Sequence, residues 1–439
     1  MFAGAVGRGE VDRRTVIRTA GAAAAALGAG MLLDGCGTAG ANSAKGHGAG
    51  AAQDRRARAR VGAGDGGAGL TLRLPAPTGP HPVGAATLYL VDRSRRDPWE
   101  PAIAVREVMI TVFYPARAVR GYPLAPQMAG DAVELFQAID VRVHHLPAEG
   151  VDWAATRTHS HSGAPARPVR RPVLLYTPGG GDARTLGTGL AEELASRGYV
   201  VVTIDHPGDA GEVGFPVARA GRERVRATVF RGDPRADPRR FRTMIDTRIA
   251  DIRFVLGRLA ALVAGRNPDA AGRALPKDLG RALDLRRVGV YGHSAGGTAA
   301  AGALYEDRRI GAAVNLEGYL DQPPERPGAE GKPYPVARHG VDRPLLLVGS
   351  ENFPTRKERD RSWSALLAHS PGHARRRGID DAAHWVFTDY AALAPQLQAA
   401  GLMPAHDRNA LVGALDPATA VPMVRAYVHS FFARHLPVG

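Results

Sequence analysis

The feature that most constrains this chain is the segment Gly292-His293-Ser294-Ala295-Gly296, which separates an apolar stretch from an alanine-rich one. A Gly-x-Ser-x-Gly segment between a strand and a helix is typical of a turn so tight that the serine is held in a strained backbone conformation. Side chains two positions before and after the serine would clash there, which explains both glycines. The pattern predicts that Ser294 is a nucleophile at a helix N-terminus, where the N–H of Ala295 can stabilise an oxyanion.

From about residue 83 the sequence alternates short apolar runs with longer helical patterns. This alternation is typical of a mostly parallel sheet with helices on both faces. Strands are predicted at residues 87–91, 108–114, 173–176, 199–204, 287–291, 312–316 and 344–348. Helices are predicted at residues 185–197, 241–263, 295–305, 360–368 and 418–433. The sequence therefore predicts an α/β fold with a single catalytic domain at residues 81–439.

A nucleophilic serine needs a base, and after a turn of this kind the order along the chain is serine, acid, histidine. His384 lies in a loop before an apolar segment, a placement that suits the base. Two carboxylates are candidates for the acid that orients it: Glu317 ends the sixth predicted strand, and Glu351 follows the seventh. The residues alone leave the choice between Glu317 and Glu351 open.

The loop at residues 177–182, Thr-Pro-Gly-Gly-Gly-Asp, follows a predicted strand and is expected to supply the second oxyanion donor. Consecutive glycines allow backbone N–H groups to turn inward without interference from side chains. The alternative is the phosphate-binding loop of a dinucleotide-binding fold. No Gly-x-Gly-x-x-Gly follows this strand, so the oxyanion role is favoured.

Composition argues against several other classes of protein. The net charge is +14, but the arginines are scattered among alanine and glycine and form no basic module with interleaved aromatics, so nucleic-acid binding is not expected. A basic surface would favour anionic head groups or membranes. One cysteine excludes an intramolecular disulfide framework and a Cys₄ zinc site. His144-His145 and His159-x-His161 have no carboxylate cluster nearby in sequence, so loop histidines, no metal and no cofactor are predicted.

The N-terminal segment is predicted to be an export signal. Two adjacent arginines precede an apolar run at residues 20–33, shorter than the roughly 20 residues of a membrane-spanning helix. The run ends Leu-Leu-Asp-Gly-Cys, which is similar to the lipobox in which a cysteine, here Cys36, is lipidated. We expect a twin-arginine signal at residues 1–35 and a flexible tether at 36–80 between a membrane lipid anchor and the domain. The alternative is ordinary secretion, with Cys36 a spare thiol.

Two segments depart from the rhythm of strands and helices. Residues 206–242 are rich in arginine, and residues 318–342 are rich in proline, glycine and charge. Each follows a strand at the end where α/β folds bind ligands, so each forms either a lid or head-group surface or a solvated insertion. Separately, four charged residues of the long helix are predicted to form a salt-bridged solvent face. These are Asp246, Arg248, Asp251 and Arg253.

The order and spacing of these motifs resemble the plasma-type (isoform II) platelet-activating-factor acetylhydrolases and their bacterial relatives. The resemblance spans roughly residues 85–435. The segments that carry it are residues 112–115, 175–181, 184–186, 196–201, 205–206, 292–297, 314–319, 344–353 and 383–389. It implies an α/β-hydrolase fold and a calcium-independent serine esterase that removes short or oxidised acyl chains from phospholipids.

By this resemblance Ser294 matches the family's nucleophile, His384 its base and Glu317 its acid, although the family has aspartate at that position. Gly180 falls on the first oxyanion position and Ala295 on the second. The implied activity is exported hydrolysis of short-acyl lipid esters of the 1-alkyl-2-acetylglycerophosphocholine type. A general carboxylesterase or polyester hydrolase without phospholipid preference, and a non-catalytic surface lipoprotein, are the alternatives.

Overall fold

The computed structural model describes residues 69–326 and 329–439, and its main element is a ten-stranded sheet. The strands of this part of the chain are β1 (Val83–Asp92), β2 (Arg106–Pro115), β3 (Leu124–Pro126), β4 (Arg157–Ser162), β5 (Arg171–Thr177), β6 (Val200–Asp205), β7 (Glu212–Gly214), β8 (Val225–Ala227), β9 (Leu283–His293), β10 (Ile310–Leu316), β11 (Leu345–Ser350) and β12 (Ala374–Ile379). The order across the large sheet is β12-β11-β10-β9-β5-β6-β2-β1-β4-β3, and β7 and β8 form a separate pair.

The six strands from β12 to β6 in this order run parallel to one another, whereas β2 is antiparallel to both β6 and β1. Parallel strands end at the same edge of a sheet, so the loops that follow β5, β9, β10 and β11 meet at one place. Each of the seven predicted strands overlaps a strand of this sheet. The predicted fold class is confirmed.

Helices flank the sheet on both faces. They are α1 (Val133–Val143), α2 (Thr188–Ser196), α3 (Pro238–Val263), α4 (Ala295–Glu306), α5 (Pro335–His339), α6 (Arg356–Ala368), α7 (Tyr390–Ala399), α8 (Ala405–Val412) and α9 (Pro417–His435). Because side chains alternate along a strand, Val200 and Val202 pack under α3 and α4, and Val201 packs under α2 and α9. The three valines are fully buried, as expected of a strand covered on both faces.

The folded part of the chain begins before residue 81, the boundary expected from the sequence. Leu72 and Leu74 are buried in a third apolar cluster with residues of α1 and α7, and the Thr78 hydroxyl donates to Glu193 (2.7 Å). Residues 69–80 are therefore packed on the domain and are not tether, because alternate leucines in this stretch meet an apolar surface. The expected signal, Cys36 and the rest of the tether lie outside the described residues.

The two segments that depart from the predicted rhythm carry structure of their own. Residues 206–242 contain the β7–β8 pair, and residues 318–342 contain α5. The guanidinium of Arg235 lies 3.7 Å from the ring centroid of Tyr319 and 3.6 Å from Asp321, so the two segments contact each other. In the two described ranges, no helix combines the length and the apolar character needed to cross a membrane.

Candidate active site

Ser294 occupies the turn between β9 and α4 with φ 53° and ψ −123°, a backbone conformation that non-glycine residues rarely adopt. Its N–H donates to the carbonyl of Leu316 (2.8 Å). A Cβ on Gly296 would lie 2.0 Å from the carbonyl oxygen of Thr177, and a Cβ on Gly292 would lie 2.4 Å from backbone atoms of Gly296. The close approach of backbone segments therefore requires both glycines, and it holds Ser294 at the edge where the parallel strands end.

His384 begins a short 3₁₀ turn, His384–Phe387, and its Nδ1 lies 2.8 Å from Oε2 of Glu317. An ionised carboxylate can only accept hydrogen bonds, so a neutral His384 carries its proton on Nδ1 and leaves Nε2 free to accept one. The ring of His293 lies 4.5 Å from that of His384, and its Nε2 contacts the carbonyl oxygen of His384 (2.9 Å). Because His293 directly precedes Ser294, this contact holds His384 beside the turn between β9 and α4.

Glu317 directly follows β10 and is fully buried. Its Oε1 accepts from the N–H and the hydroxyl (2.8 Å) of Ser350 and from Nη1 of Arg359 (2.5 Å). The side chain of Arg359 is itself only 1% exposed. These donors fix the carboxylate so that Oε2 faces His384, and a charged pair of this kind is stronger than a neutral hydrogen bond.

Glu351, the other candidate acid, directly follows β11 and faces solvent. Its side chain is 48% exposed, and its ion-pair partner is Arg356 at 3.5 Å. The structure therefore brings Glu317, and not Glu351, to His384.

The loop after β5 brings Gly180 next to Ala295, because a Cβ built on Gly180 would lie 3.6 Å from the Cβ of Ala295. Arg248 of α3 is fully buried against the same loop. Its Nη1 donates to the carbonyl of Pro178, and its Nη2 donates to the carbonyl of Gly179 (2.8 Å). Nε of the same guanidinium donates to Oδ2 of Asp209 (2.5 Å), so all three nitrogens of the side chain are hydrogen-bonded.

The hydrogen bonds from Arg248 determine the orientation of the N–H group of Gly180. The carbonyl of Gly179 and the N–H of Gly180 belong to one trans peptide unit and point in opposite directions. Since the carbonyl is turned toward Arg248, the N–H of Gly180 is turned away from Arg248. The N–H of Ala295 opens α4 and has no helical acceptor. These two N–H groups are the candidates for binding an oxyanion.

The expectation of a solvated charged face on α3 is wrong for two of its four residues. Arg248 and Asp251 are fully buried, whereas Asp246 and Arg253 face solvent. Asp251 pairs with Arg106 (2.7 Å), and both side chains are buried. Positions 248 and 251 lie on the same helical stripe as the buried isoleucines of α3, so only tertiary contacts could reveal that their charges have partners inside the protein.

Replacing Arg248 with lysine is expected to lower kcat for ester hydrolysis by about 10-fold to 100-fold with little change in KM. A lysine keeps the charge but cannot reproduce the planar fork that bonds both loop carbonyls, so the Gly180 peptide loses its fixed orientation. Steady-state kinetics check this, with Arg253→Lys, an exposed residue of the same helix, as the control. A rise in KM with kcat unchanged would contradict the positioning role.

The electrostatics of His384 predict the pH range of activity. Burial above all, and the charge of His293, lower the pKa of His384 from its ordinary value of 6.5, while Glu317 acts in the opposite direction. A lowered pKa keeps the imidazole neutral, and able to accept a proton, in mildly acidic solution. The acid limb of kcat/KM against pH is therefore expected below pH 6.5, and His293→Gln should move it upward. A wild-type limb above pH 6.5 would contradict this assignment.

The other histidines singled out from the sequence have separate places in the fold. His159 and His161 lie on β4, where their ring nitrogens contact the carbonyls of Leu74 (2.9 Å) and Tyr122 (2.7 Å). His145 is exposed after α1, whereas His144 is buried beside Asp140. His159 and His161 therefore lie on a strand and not in the loop expected for them. His144 and His145 follow α1 in a turn, as expected of loop residues, although His144 is buried.

Aromatic side chains surround His384. The ring centroids of Phe353 and Trp385 each lie 4.9 Å from that of His384, and the Tyr319 ring lies 5.5 Å from Phe353. Tyr319 belongs to the segment at residues 318–342, which the other insertion contacts through Arg235. The two inserted segments thus meet beside the site.

Sequence comparison identifies the family of the chain. The family model described as platelet-activating factor acetylhydrolase, isoform II, matches residues 69–437. A probable 1-alkyl-2-acetylglycerophosphocholine esterase of Arthroderma benhamiae is 26% identical over 387 residues, which cover 82% of this chain and 87% of the relative.

Structural comparison agrees. A ferulic acid esterase of Streptomyces cinnamoneus matches with a TM-score of 0.65 and 33% identity, covering 84% of this chain and 94% of that one. The likeness confirms an α/β-hydrolase fold, and the matches together support a carboxylic ester hydrolase. The chain belongs to the platelet-activating factor acetylhydrolase isoform II family.

Proposed function

We propose that the protein is an exported serine ester hydrolase that cleaves short-acyl lipid esters with Ser294, His384 and Glu317. The observation that supports this most is the 2.8 Å contact between Nδ1 of His384 and Oε2 of Glu317. The contact lies next to the strained turn between β9 and α4 that holds Ser294. A carboxylate, an imidazole and a serine in this order perform nucleophilic acyl transfer.

In the first half of the reaction Ser294 Oγ attacks the ester carbonyl carbon while Nε2 of His384 accepts the hydroxyl proton. Glu317 stabilises the imidazolium that forms and keeps its ring in place. The N–H groups of Gly180 and Ala295 donate to the oxyanion of the tetrahedral intermediate. The carbon–oxygen bond to the leaving alcohol then breaks, and His384 returns the proton to that alcohol.

In the second half a water molecule attacks the acyl-serine, and His384 takes its proton. The same two N–H groups stabilise the second oxyanion. Collapse of this intermediate releases the carboxylic acid and returns the proton to Ser294 Oγ. No cofactor is required, because bond breaking and proton transfer balance within these groups and water.

The proposed substrate class follows from the relatives and from the surroundings of His384. The relative from Arthroderma benhamiae is named for 1-alkyl-2-acetylglycerophosphocholine, an ether phospholipid with an acetyl ester. The insertions at residues 206–242 and 318–342 bring Arg235 and the ring of Tyr319 to the border of the site. Cationic and aromatic side chains suit an anionic phosphate and an apolar chain, respectively.

A second candidate is a general carboxylesterase without phospholipid preference. One of the matching solved structures is a ferulic acid esterase, and ferulic acid has an aromatic ring. Phe353, Trp385 and Tyr319 could pack against such a group as well as against a lipid.

The test is a substrate panel with the full chain and its Ser294→Ala variant. It contains p-nitrophenyl esters of increasing acyl length, an ether phospholipid with an sn-2 acetyl group, and methyl ferulate. Highest kcat/KM on the phospholipid supports the first proposal. Efficient hydrolysis of the nitrophenyl or feruloyl esters with none of the phospholipid supports the second. Failure of a serine-reactive phosphonate to label Ser294 would instead support a non-catalytic lipoprotein.

Export and lipid anchoring form a separate part of the proposal. It is supported by the paired arginines, the short apolar run and Cys36 in the N-terminal sequence. Expression of the full chain in a bacterium with lipoprotein processing should place it in the membrane fraction, and Cys36→Ala should release it to the soluble exported fraction. Equal release of both proteins would favour plain secretion.

A further inference from the structure

A second group of polar side chains lies beside the oxyanion loop. Asp140 belongs to α1, His144 follows that helix, and Asp182 ends the loop that carries Gly180. One ligand atom from each of the three residues lies within 4.8 Å of the others. All three residues are at least 95% buried, so they meet inside the protein and not on its surface.

Several atoms of this group have no hydrogen-bond partner among the described residues. These are Oδ2 of Asp140, Nδ1 of His144 and Oε2 of the neighbouring Glu212, a residue only 4% exposed. Each unpartnered buried polar group costs about 1 to 3 kcal/mol, so an incomplete cluster of this size points to a ligand that completes it.

The charges of the group are also unbalanced. In the described ranges, no lysine or arginine forms an ion pair with Asp140, Asp182 or Glu212. The hydroxyl of Tyr390 donates to Asp140, and the imidazoles of His144 and His293 each lie 3.4 Å from one of the two aspartates. That separation exceeds the usual 2.7–3.2 Å of an N–H···O hydrogen bond. Between Nε2 of His144 and Oδ1 of Asp140, two of the three clustered residues, 3.4 Å also equals the spacing of two ligands of a tetrahedral zinc ion with bonds of about 2.1 Å.

We propose that Asp140, His144 and Asp182 bind a divalent cation of the zinc class, with Glu212 as a fourth available carboxylate. An imidazole nitrogen among carboxylate oxygens favours zinc and its first-row neighbours, whereas calcium requires six to eight oxygens. The cation joins α1 to the oxyanion loop and has a structural role outside the ester chemistry. This cluster could not be predicted from the sequence, because Asp182 is far from His144 along the chain.

The test measures metal content and thermal stability of the full chain. Protein stripped with a chelator is incubated with excess Zn²⁺, passed through a desalting column and measured by elemental analysis and by thermal unfolding. About one equivalent of Zn²⁺ and a Tm several degrees higher are expected, since a ligand bound only by the folded state stabilises it. Ca²⁺ and Mg²⁺ at the same concentration should leave Tm unchanged.

Two variants locate the site. His144→Gln should lose both the bound Zn²⁺ and the rise in Tm, while His145→Gln, an exposed neighbour, should keep both. Asp140→Asn, which retains an acceptor for the hydroxyl of Tyr390, should also lose the metal. Wild-type protein that retains no Zn²⁺ and shows no rise in Tm would overturn the proposal without reference to any variant. Equal loss of bound Zn²⁺ in the His144 and His145 variants would also overturn the proposal, because it would indicate adventitious binding of Zn²⁺ at the surface.

Discussion

Replacing Ser294 with alanine is expected to lower kcat for ester hydrolysis by about 10⁴-fold to 10⁶-fold, the usual cost of removing the nucleophile of such a triad. The side chain removed is the group proposed to form the acyl-enzyme, and it lies in a turn whose backbone conformation is rarely adopted by non-glycine residues. Burst and steady-state kinetics with a p-nitrophenyl ester check this. The initial burst of p-nitrophenol that accompanies formation of the acyl-enzyme should vanish.

The control for this variant is Ser364→Ala. Ser364 is an exposed serine of α6 whose hydroxyl donates to the carbonyl of Asp360, four residues earlier. Its loss should leave kcat within about two-fold, as is usual for a surface substitution. Activity in Ser294→Ala above one hundredth of the wild-type value would show that another group starts the reaction.

Replacing Glu317 with glutamine is expected to lower kcat by about 10²-fold to 10⁴-fold with little change in KM. An amide does not stabilise the imidazolium, and its NH₂ group can favour the wrong tautomer of His384. Glu351→Gln is the matched control, because it makes the same chemical change on a carboxylate that faces solvent. It should keep kcat within about two-fold, as other surface substitutions do.

The Glu317 variant also removes one of the two carboxylates that pair with the buried Arg359 and leaves Asp360 as the other, so loss of activity must be separated from unfolding. Thermal unfolding and circular dichroism make that distinction. Glu317→Asp keeps the charge and should recover part of the lost kcat if the shorter side chain still reaches His384. A larger loss of kcat in Glu351→Gln than in Glu317→Gln would instead assign the acid role to Glu351, which follows β11.

The elements predicted from the sequence are those whose pattern is local. Consecutive valines at residues 200–202 and the glycines around Ser294 impose the same structure wherever they occur, since burial on both faces and a tight turn each leave a short signature. Strand β12 lacks one: it is an edge strand with three consecutive arginines, and backbone pairing with β11 creates it. Helix α7 contains Pro395 and depends on packing in the third apolar cluster.

The candidate site divides in the same way. Ser294 and His384 can be identified from the sequence, because a motif marks the serine and a loop position marks the histidine. The choice between Glu317 and Glu351 depends on which loop turns inward, and Ser350 and Arg359 determine that from other parts of the chain. Arg248 was missed as a support of the oxyanion loop for a similar reason. Its acceptors precede it by 39 to 71 residues, and no spacing rule links them.

Placing the acid directly after β10 has a consequence for how such enzymes diversify. The loop between β11 and α6, which includes Phe353, lies beside His384 but supplies no member of the proposed triad. Mutations there can therefore change the aromatic surroundings of His384 while the three residues of the proposed triad stay intact. A chain built this way separates the part that evolution can vary from the part it must keep. A saturation library at residues 351–355 is accordingly a suitable starting point for altering substrate range.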